Sequence, residues 1–461
     1  MQKISDLFNN SFKYLIAALL IIVPLYPKFP FIEIPGIYVS IRAEDFLLAI
    51  IGIFVLIKIL PRIKEFFKDK IILSMTIFLT VGLVSLIAGV FLTQTVSLSI
   101  GILHLLRRVE YFMPFFAVVS FLPHEKDKNL EFYVKILIIV VLAAFIYGIG
   151  ERYFGFPVII TQDSESSKGL ALRWSPGSQI TSTFAGHYDL AAFMVLVLPI
   201  LISLFFTIQG KLSKTTLFVS VLSGFWLLVN STSRISFVSY LLATCISLLL
   251  LKKYKAMVVI VLLSIILSGF SAGLFARYKS LIDVYSSKIK AVKIMGDNPF
   301  RFTVLAQETT LTRRTDASPT PILIPVIEDR STAIRLNVEW PRAIRAFVKD
   351  PLIGTGYSSI GLAADNDYLR LMAEVGFLGL LGFGLVFAQI FFTFVSVFPL
   401  TQNFSGLKLG FISGVIGGIF GTLLNASFID VFEASKFAII FWLLVGLAVF
   451  IVKDKINVNK N

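Results

Sequence analysis

Apolar residues arrive along this chain in long blocks separated by short polar stretches. Blocks of about 18 or more apolar residues match the hydrocarbon thickness of a bilayer when helical. Read this way, the pattern predicts spans near 12–26, 44–60, 71–92, 97–121, 132–150, 188–207, 215–230, 235–251, 256–275, 368–399, 407–425 and 436–452. The block structure breaks once at length. It predicts three regions: 1–275 with helices one to nine, 276–367 as a large hydrophilic loop with short helices, and 368–461 with the last three helices. The predicted fold class is an all-α polytopic membrane protein of about twelve transmembrane helices. The opening segment Met1–Asn10, followed by an apolar run broken at Pro24, reads as a retained first span because no small-residue cleavage pattern follows it.

Composition agrees with the pattern. The 461 residues are 56% hydrophobic and only 15% charged. A soluble domain carries about 25% charged residues to coat its surface. The net charge of +14 then needs a membrane reading. Lysines and arginines crowd alternate connections, as at Arg62, Lys64, Lys68 and Lys70, at Lys252, Lys253 and Lys255, and at Lys453, Lys455 and Lys460. The opposite short connections, such as Thr93–Ser97, are bare. Positive charge favours the cytoplasmic side, so both termini are expected inside and 277–367 outside. The single cysteine, Cys245, lies in an apolar block, and the three histidines share no local carboxylate cluster. Neither a disulfide framework nor a metal centre is expected, and no cofactor motif is visible. Within the loop, 276–294 reads as an amphipathic helix on the membrane surface and 298–331 as irregular. A helical pattern resumes over 332–350 and Pro351 stops it.

Four polar places stand out, because a charge at the bilayer centre costs roughly 2.5–3.5 kcal/mol. His104, Arg107, Arg108 and Tyr111 share one helical face; they form either an internal ion pair of Arg107 with Glu110 or an anion-binding surface. Asn230–Arg234 offers hydroxyls, a helix N-terminus and a guanidinium, which make either a cap with a snorkelling arginine or an anion site. On one continuous helix, Arg335, Arg342, Arg345 and Lys349 fall within an arc of about 80°. That stripe suits a polyanion, or is simply a solvated face, and Pro341 threatens its continuity. Finally Asp365, Asn366 and Asp367 precede Tyr368 where the loop meets the next span. A cap requires one such residue; three in a row beside arginines suggest a general base near an anionic leaving group.

Together these segments resemble the bacterial O-antigen ligase/O-antigen polymerase superfamily. The likeness is best between Gln179 and Gly384. It is carried by Thr181–Ala191, by Ser233-Arg234, by Arg335–Ala343 followed by Pro351–Tyr357, and by Asp365–Gly379. The resemblance implies a membrane-embedded glycosyltransferase of the C class. Such an enzyme takes a glycan from undecaprenyl diphosphate on the outer face of the bacterial cytoplasmic membrane and passes it to a glycan or lipid-linked acceptor by metal-independent inversion. Arg234 and Arg335 would neutralise the diphosphate and Asp365 would be the base, with His187 a competitor. Arg342, Arg345, Asn366, Tyr368, Arg107 and Arg108 would bind substrate. Many ligases of the superfamily have histidine where this chain has Asp365, a departure that favours a polymerase-type member. A transporter or flippase of the same lipid-linked glycan is the alternative, since it too needs a cationic cavity; the absence of a visible internal repeat counts against it.

Overall fold

The computed structural model describes residues 2–27, 42–121, 127–159, 171–269 and 330–458, apart from positions 173, 176, 177 and 362. The expected surface helix at 276–294 and nearly all of the 298–331 stretch lie outside the described residues. Every expected apolar segment contains a helix. In chain order these are α1 (Gln2–Leu25), α2 (Ala43–Ile59), α3 (Lys70–Phe91), α4 (Leu98–Phe121), α5 (Asp127–Tyr153), α6 (His187–Thr207), α7 (Lys211–Asn230), α8 (Arg234–Leu250) and α9 (Tyr254–Gly269). A tenth helix, α10 (Trp340–Lys349), belongs to the loop, and α11 (Asp367–Val395), α12 (Gly406–Asn425) and α13 (Ser435–Val458) complete the chain. Among the described residues, seven helices are long and apolar enough to cross a membrane, and α8, α9 and the apolar part of α1 are shorter. The remaining order is slight: β1 (Val158–Ile159) pairs antiparallel with β2 (Ala171–Leu172).

Helices α6 and α13 sit at the centre, with 83% and 89% of their apolar windows buried. Helix α12 reaches them through small residues. A Cβ on Gly414 would stand 2.8 Å from the Ile200 nitrogen, and one on Gly418 would stand 3.0 Å from the Leu196 carbonyl. Bare Cα positions therefore let the two backbones approach closely, the usual route to tight helix contact where lipid removes the hydrophobic drive. Helix α8 packs on the neighbouring face of α12, where Gly417 and Gly421 meet Ala243, Ser247 and Ser239.

One end of this bundle gathers helix termini. Lys436, at the start of α13 and fully buried, donates to the carbonyls of Thr183 (2.5 Å) and Pro24 (3.3 Å). It thereby ties the end of α1 to the turn that leads into α6. Ser236, in the first turn of α8, donates to Asn425 Oδ1 at 3.0 Å, and the Asp367 nitrogen donates to the Ala426 carbonyl at 2.9 Å. The starts of α8 and α11 thus meet at the end of α12. At the opposite end, Lys453 of α13 pairs with Asp69, which caps α3.

Candidate functional site

Helix α11 is not continuous. Gly376 has φ +74° and ψ −173°, which breaks the helix. The freed backbone groups are satisfied by the turn at 351–357. The nitrogens of Thr355 and Gly356 donate to the carbonyls of Ala373 and Glu374 at 3.0 and 2.8 Å, and the Phe377 nitrogen donates to the Pro351 carbonyl at 2.9 Å. Non-helical backbone at membrane depth is tolerated only where protein supplies such partners. Helix α3 backs the junction: Ser85 Oγ donates to the Glu374 carbonyl at 2.6 Å. Thr95, in the turn beyond α3, donates to the Thr355 carbonyl at 2.5 Å.

The segment before this turn starts with a short helix at Arg330–Ile334, widens into a π-helical turn at Arg335–Glu339, and continues as α10. Pro341 lies in the first turn of α10, where its missing N–H costs nothing. The π turn rotates Arg335 inward, so the expected continuous stripe is not formed. Arg335 is buried, Arg342 donates to the Ala363 carbonyl at 2.6 Å, Arg345 is exposed, and Lys349 reaches the Thr93 carbonyl at 3.1 Å. The solvated-face reading fits Arg345 and fails for Arg335.

Arg335 meets Asp365 through two nitrogens, Nη2 at 2.8 Å and Nε at 3.0 Å, both on Oδ2. Tyr188, next to His187 at the start of α6, lies under the same guanidinium, with its hydroxyl 3.5 Å from Nη2. The His187 and Tyr188 rings lie 4.0 Å apart, so His187 stands at the edge of the same group. Burial pushes the Asp365 carboxyl above its usual range; Arg335 opposes the shift and Asp430 adds to it.

Asp430, in the connection between α12 and α13, organises the start of α11. Its carboxylate accepts from the nitrogens of Ala364 (2.8 Å) and Asn366 (2.9 Å) and from Arg370 Nη2 (3.1 Å). Asn366 supplies the helix cap, its Oδ1 accepting from the Leu369 nitrogen at 3.0 Å. Asp367 accepts from the Phe432 nitrogen at 3.1 Å, and the Tyr368 hydroxyl donates to the Leu423 carbonyl at 2.7 Å. Three polar residues in a row therefore have separate structural duties. Asp365 is the one of the three that forms the ion pair with Arg335, and it has a φ of +47°.

The helical face of α4 divides. Arg107 reaches Asp45 of α2 at 3.7 Å, and Glu110 stays within its electrostatic reach. Arg108 pairs with Glu433 and donates to the Phe432 carbonyl at 3.0 Å. Its guanidinium lies 5.5 Å from the Tyr357 ring. Arg108, Tyr357, Arg370, Glu374 and Glu433 line a cavity of about 40 Å3 behind the start of α11. That is room for ordered water, not a glycan. Arg234 is half-buried at the first position of α8, where Ser233 caps the helix. Its helix end is joined through Asn425 and Ala426 to the start of α11.

Sequence reasoning passed over Asp430, Glu339, Tyr188 and Lys436. Asp430 and Lys436 had a signal, since each is a charge beside apolar blocks in a chain that carries few. Glu339 and Tyr188 gave none, because their importance comes from what the fold sets beside them. No curated protein matches the chain. A family model described as O-Antigen ligase matches residues 218–384, which hold Arg234, Arg335, the 351–357 turn, Asp365 and the break at Gly376. On that stretch the chain is similar to the O-antigen ligase family, as the likeness read from the sequence anticipates, and seven of the described helices are long and apolar enough to cross a membrane.

Proposed function

We propose that the protein transfers or polymerises an undecaprenyl-diphosphate-linked oligosaccharide on the outer face of the bacterial cytoplasmic membrane. The observation that carries this reading is the pairing of buried Arg335 with half-buried Asp365 at the end of the bundle where helix starts gather. Helix N-termini and guanidinium groups both favour phosphate oxygens. When a donor diphosphate arrives it competes with Asp365 for Arg335, and Arg234 approaches from the start of α8. The developing negative charge of the leaving group is then neutralised by fixed cations, the term that usually dominates such catalysis. The acceptor hydroxyl attacks C1 from the opposite face with inversion, and its proton passes to a carboxylate or imidazole of the cluster. Asp365 and His187 are the groups the sequence points to. Arg342, Arg345, Asn366 and Tyr368 lie on the segments that frame the donor, and Arg107 and Arg108 hold the helices behind them. In this reading the apolar blocks supply about twelve spans, the family resemblance implies the membrane-embedded C class, and the charge pattern of the connections favours cytoplasmic termini.

The test is glycan chain length in a host lacking the protein, complemented with wild type or Asp365→Ala. Long polymer with wild type and single repeat units with the variant support polymerisation through the Asp365 cluster. Polymer that forms on its lipid carrier without the protein, yet never reaches its final acceptor, makes it a ligase. Lipid-linked glycan that accumulates on the inner face overturns glycosyl transfer in favour of transport.

A further inference from the structure

We propose that Glu339 is the group that takes the proton from the acceptor hydroxyl, and that Asp365 is the positioning residue that aims Arg335. This rests on the glycosyl-transfer reading above and assigns the base within it.

The first ground is geometric. Asp365 Oδ2 is engaged twice by Arg335, through Nη2 and Nε. The oxygen that Arg335 engages is therefore already occupied and is not open to an arriving hydroxyl. Glu339 lies four residues beyond Arg335 on the same π-helical turn. Its Oε2 is buried and has no hydrogen-bond partner among the described residues. A buried carboxylate oxygen without a donor is costly, and an arriving hydroxyl removes the cost.

The second ground is what surrounds it. Trp340 Nε1 and Arg342 Nε are also buried and without a partner among the described residues. One acceptor oxygen and two N–H donors within four residues complement a saccharide, whose hydroxyls donate and accept together. Phe428, 6.0 Å from the Trp340 ring, adds an apolar surface for the sugar face. The groups that face Glu339 are Asp365 and Arg335 beside it, Asp430 from the α12–α13 connection and Arg342 of α10. Burial first, then the Asp365 and Asp430 charges, push the Glu339 carboxyl up to about 7 against the two arginines. A base serves best when its pKa lies near the working pH.

The step balances without a co-reactant. The acceptor oxygen forms its bond to C1 as the C1–O bond to the diphosphate breaks, and that electron pair leaves with the diphosphate. The hydroxyl proton moves to Glu339 and is later lost to water.

The experiment uses the full-length protein in liposomes, with an undecaprenyl-diphosphate oligosaccharide as donor and free oligosaccharide as acceptor. Rates are compared across pH for wild type, Glu339→Gln, Glu339→Asp and Asp365→Asn, with donor binding measured separately. The expected wild-type rate rises through about pH 7 to a plateau. Glu339→Gln loses about 100-fold or more in kcat, as removal of a general base does, and loses the rising limb while still binding donor. Glu339→Asp regains part of the rate with its limb displaced. Asp365→Asn raises KM for donor and keeps a rising limb, displaced toward lower pH because the Asp365 charge no longer raises Glu339. If Glu339→Gln retains rate and limb, or the limb disappears only in Asp365→Asn, the assignment is overturned. Should Glu339→Gln not fold, an unshifted limb in Glu339→Asp overturns it equally. A wild type that binds donor and transfers nothing overturns the glycosyl-transfer reading itself, a result distinct from either.

Discussion

Gly354 and Gly376 stand back to back: a Cβ on either would fall 2.5 Å from the other's backbone nitrogen. Both have positive φ, +80° and +74°, which L side chains rarely adopt. This contact fastens the 351–357 turn into the break of α11, and so sets where Asp365 and Arg335 lie relative to the membrane helices. Alanine at Gly376 combines a strained backbone with an overlap that neither strand of backbone relieves. The expected cost is at least about 3 kcal/mol. Melting in detergent should drop sharply for Gly376→Ala, and an unchanged melting temperature would show that the turn and the break are not joined.

Arg335 should not be replaceable by lysine. A lysine keeps the charge and loses the planar fork that meets Asp365 through both Nε and Nη2. Transfer by Arg335→Lys should fall at least about tenfold, with Arg335→Ala lower still because Asp365 is then left half-buried without its cation. Equal rates for wild type and Arg335→Lys in liposomes would remove Arg335 from the donor site.

Asp430 holds two backbone nitrogens and Arg370 at once. Asp430→Ala removes one carboxylate from that arginine, which is buried at the start of α11 and also meets Glu374 at 3.3 Å. Removing one partner of a buried pair costs about 3–5 kcal/mol. The prediction is low yield and early melting for Asp430→Ala. Asp430→Asn, which keeps an acceptor and the shape, should be milder. A reverse order of the two variants would show that charge at this position matters less than space.

Stability should fall as pH rises from about 5 to about 8. Glu339 is pushed up to about 7 by burial and by Asp365 and Asp430, against an ordinary carboxyl value of 4.5. Between those values the folded chain binds more protons than the unfolded one, so its stability is greatest at the acid end and is lost through the folded pKa. Glu339 is partly exposed, and solvent screening reduces the effect to on the order of 1–2 kcal/mol. Melting followed across pH should show this slope in wild type and a shallower one in Glu339→Gln. Identical slopes would place Glu339 in an ordinary solvated setting.

The helices were legible from the chain itself, because a bilayer imposes one length and one polarity on every span and leaves the pattern unmistakable. Each apolar block from 12–26 to 436–452 holds a helix. The stop at Pro351 and the choice of Arg335 and Asp365 as polar residues needing an account were legible for the same reason: each departs from a largely apolar background. What pairs with what was not. The helical-face argument offered Arg107 only Glu110 on its own helix, and the fold adds Asp45 of α2. The stripe from Arg335 to Lys349 assumed 3.6 residues per turn, and five residues of π helix were enough to rotate Arg335 inward onto Asp365. Local periodicity determines which residues share a face, and it carries no information on which distant segment that face will meet. Asp430, Tyr188 and Glu339 come together across separations of tens to hundreds of residues, where only the packing of helix ends decides. The sequence by itself determined that carboxylates and arginines would gather where the loop meets the span of α11; the tertiary structure decided which carboxylate answers which guanidinium, because that depends on distances the chain cannot encode locally.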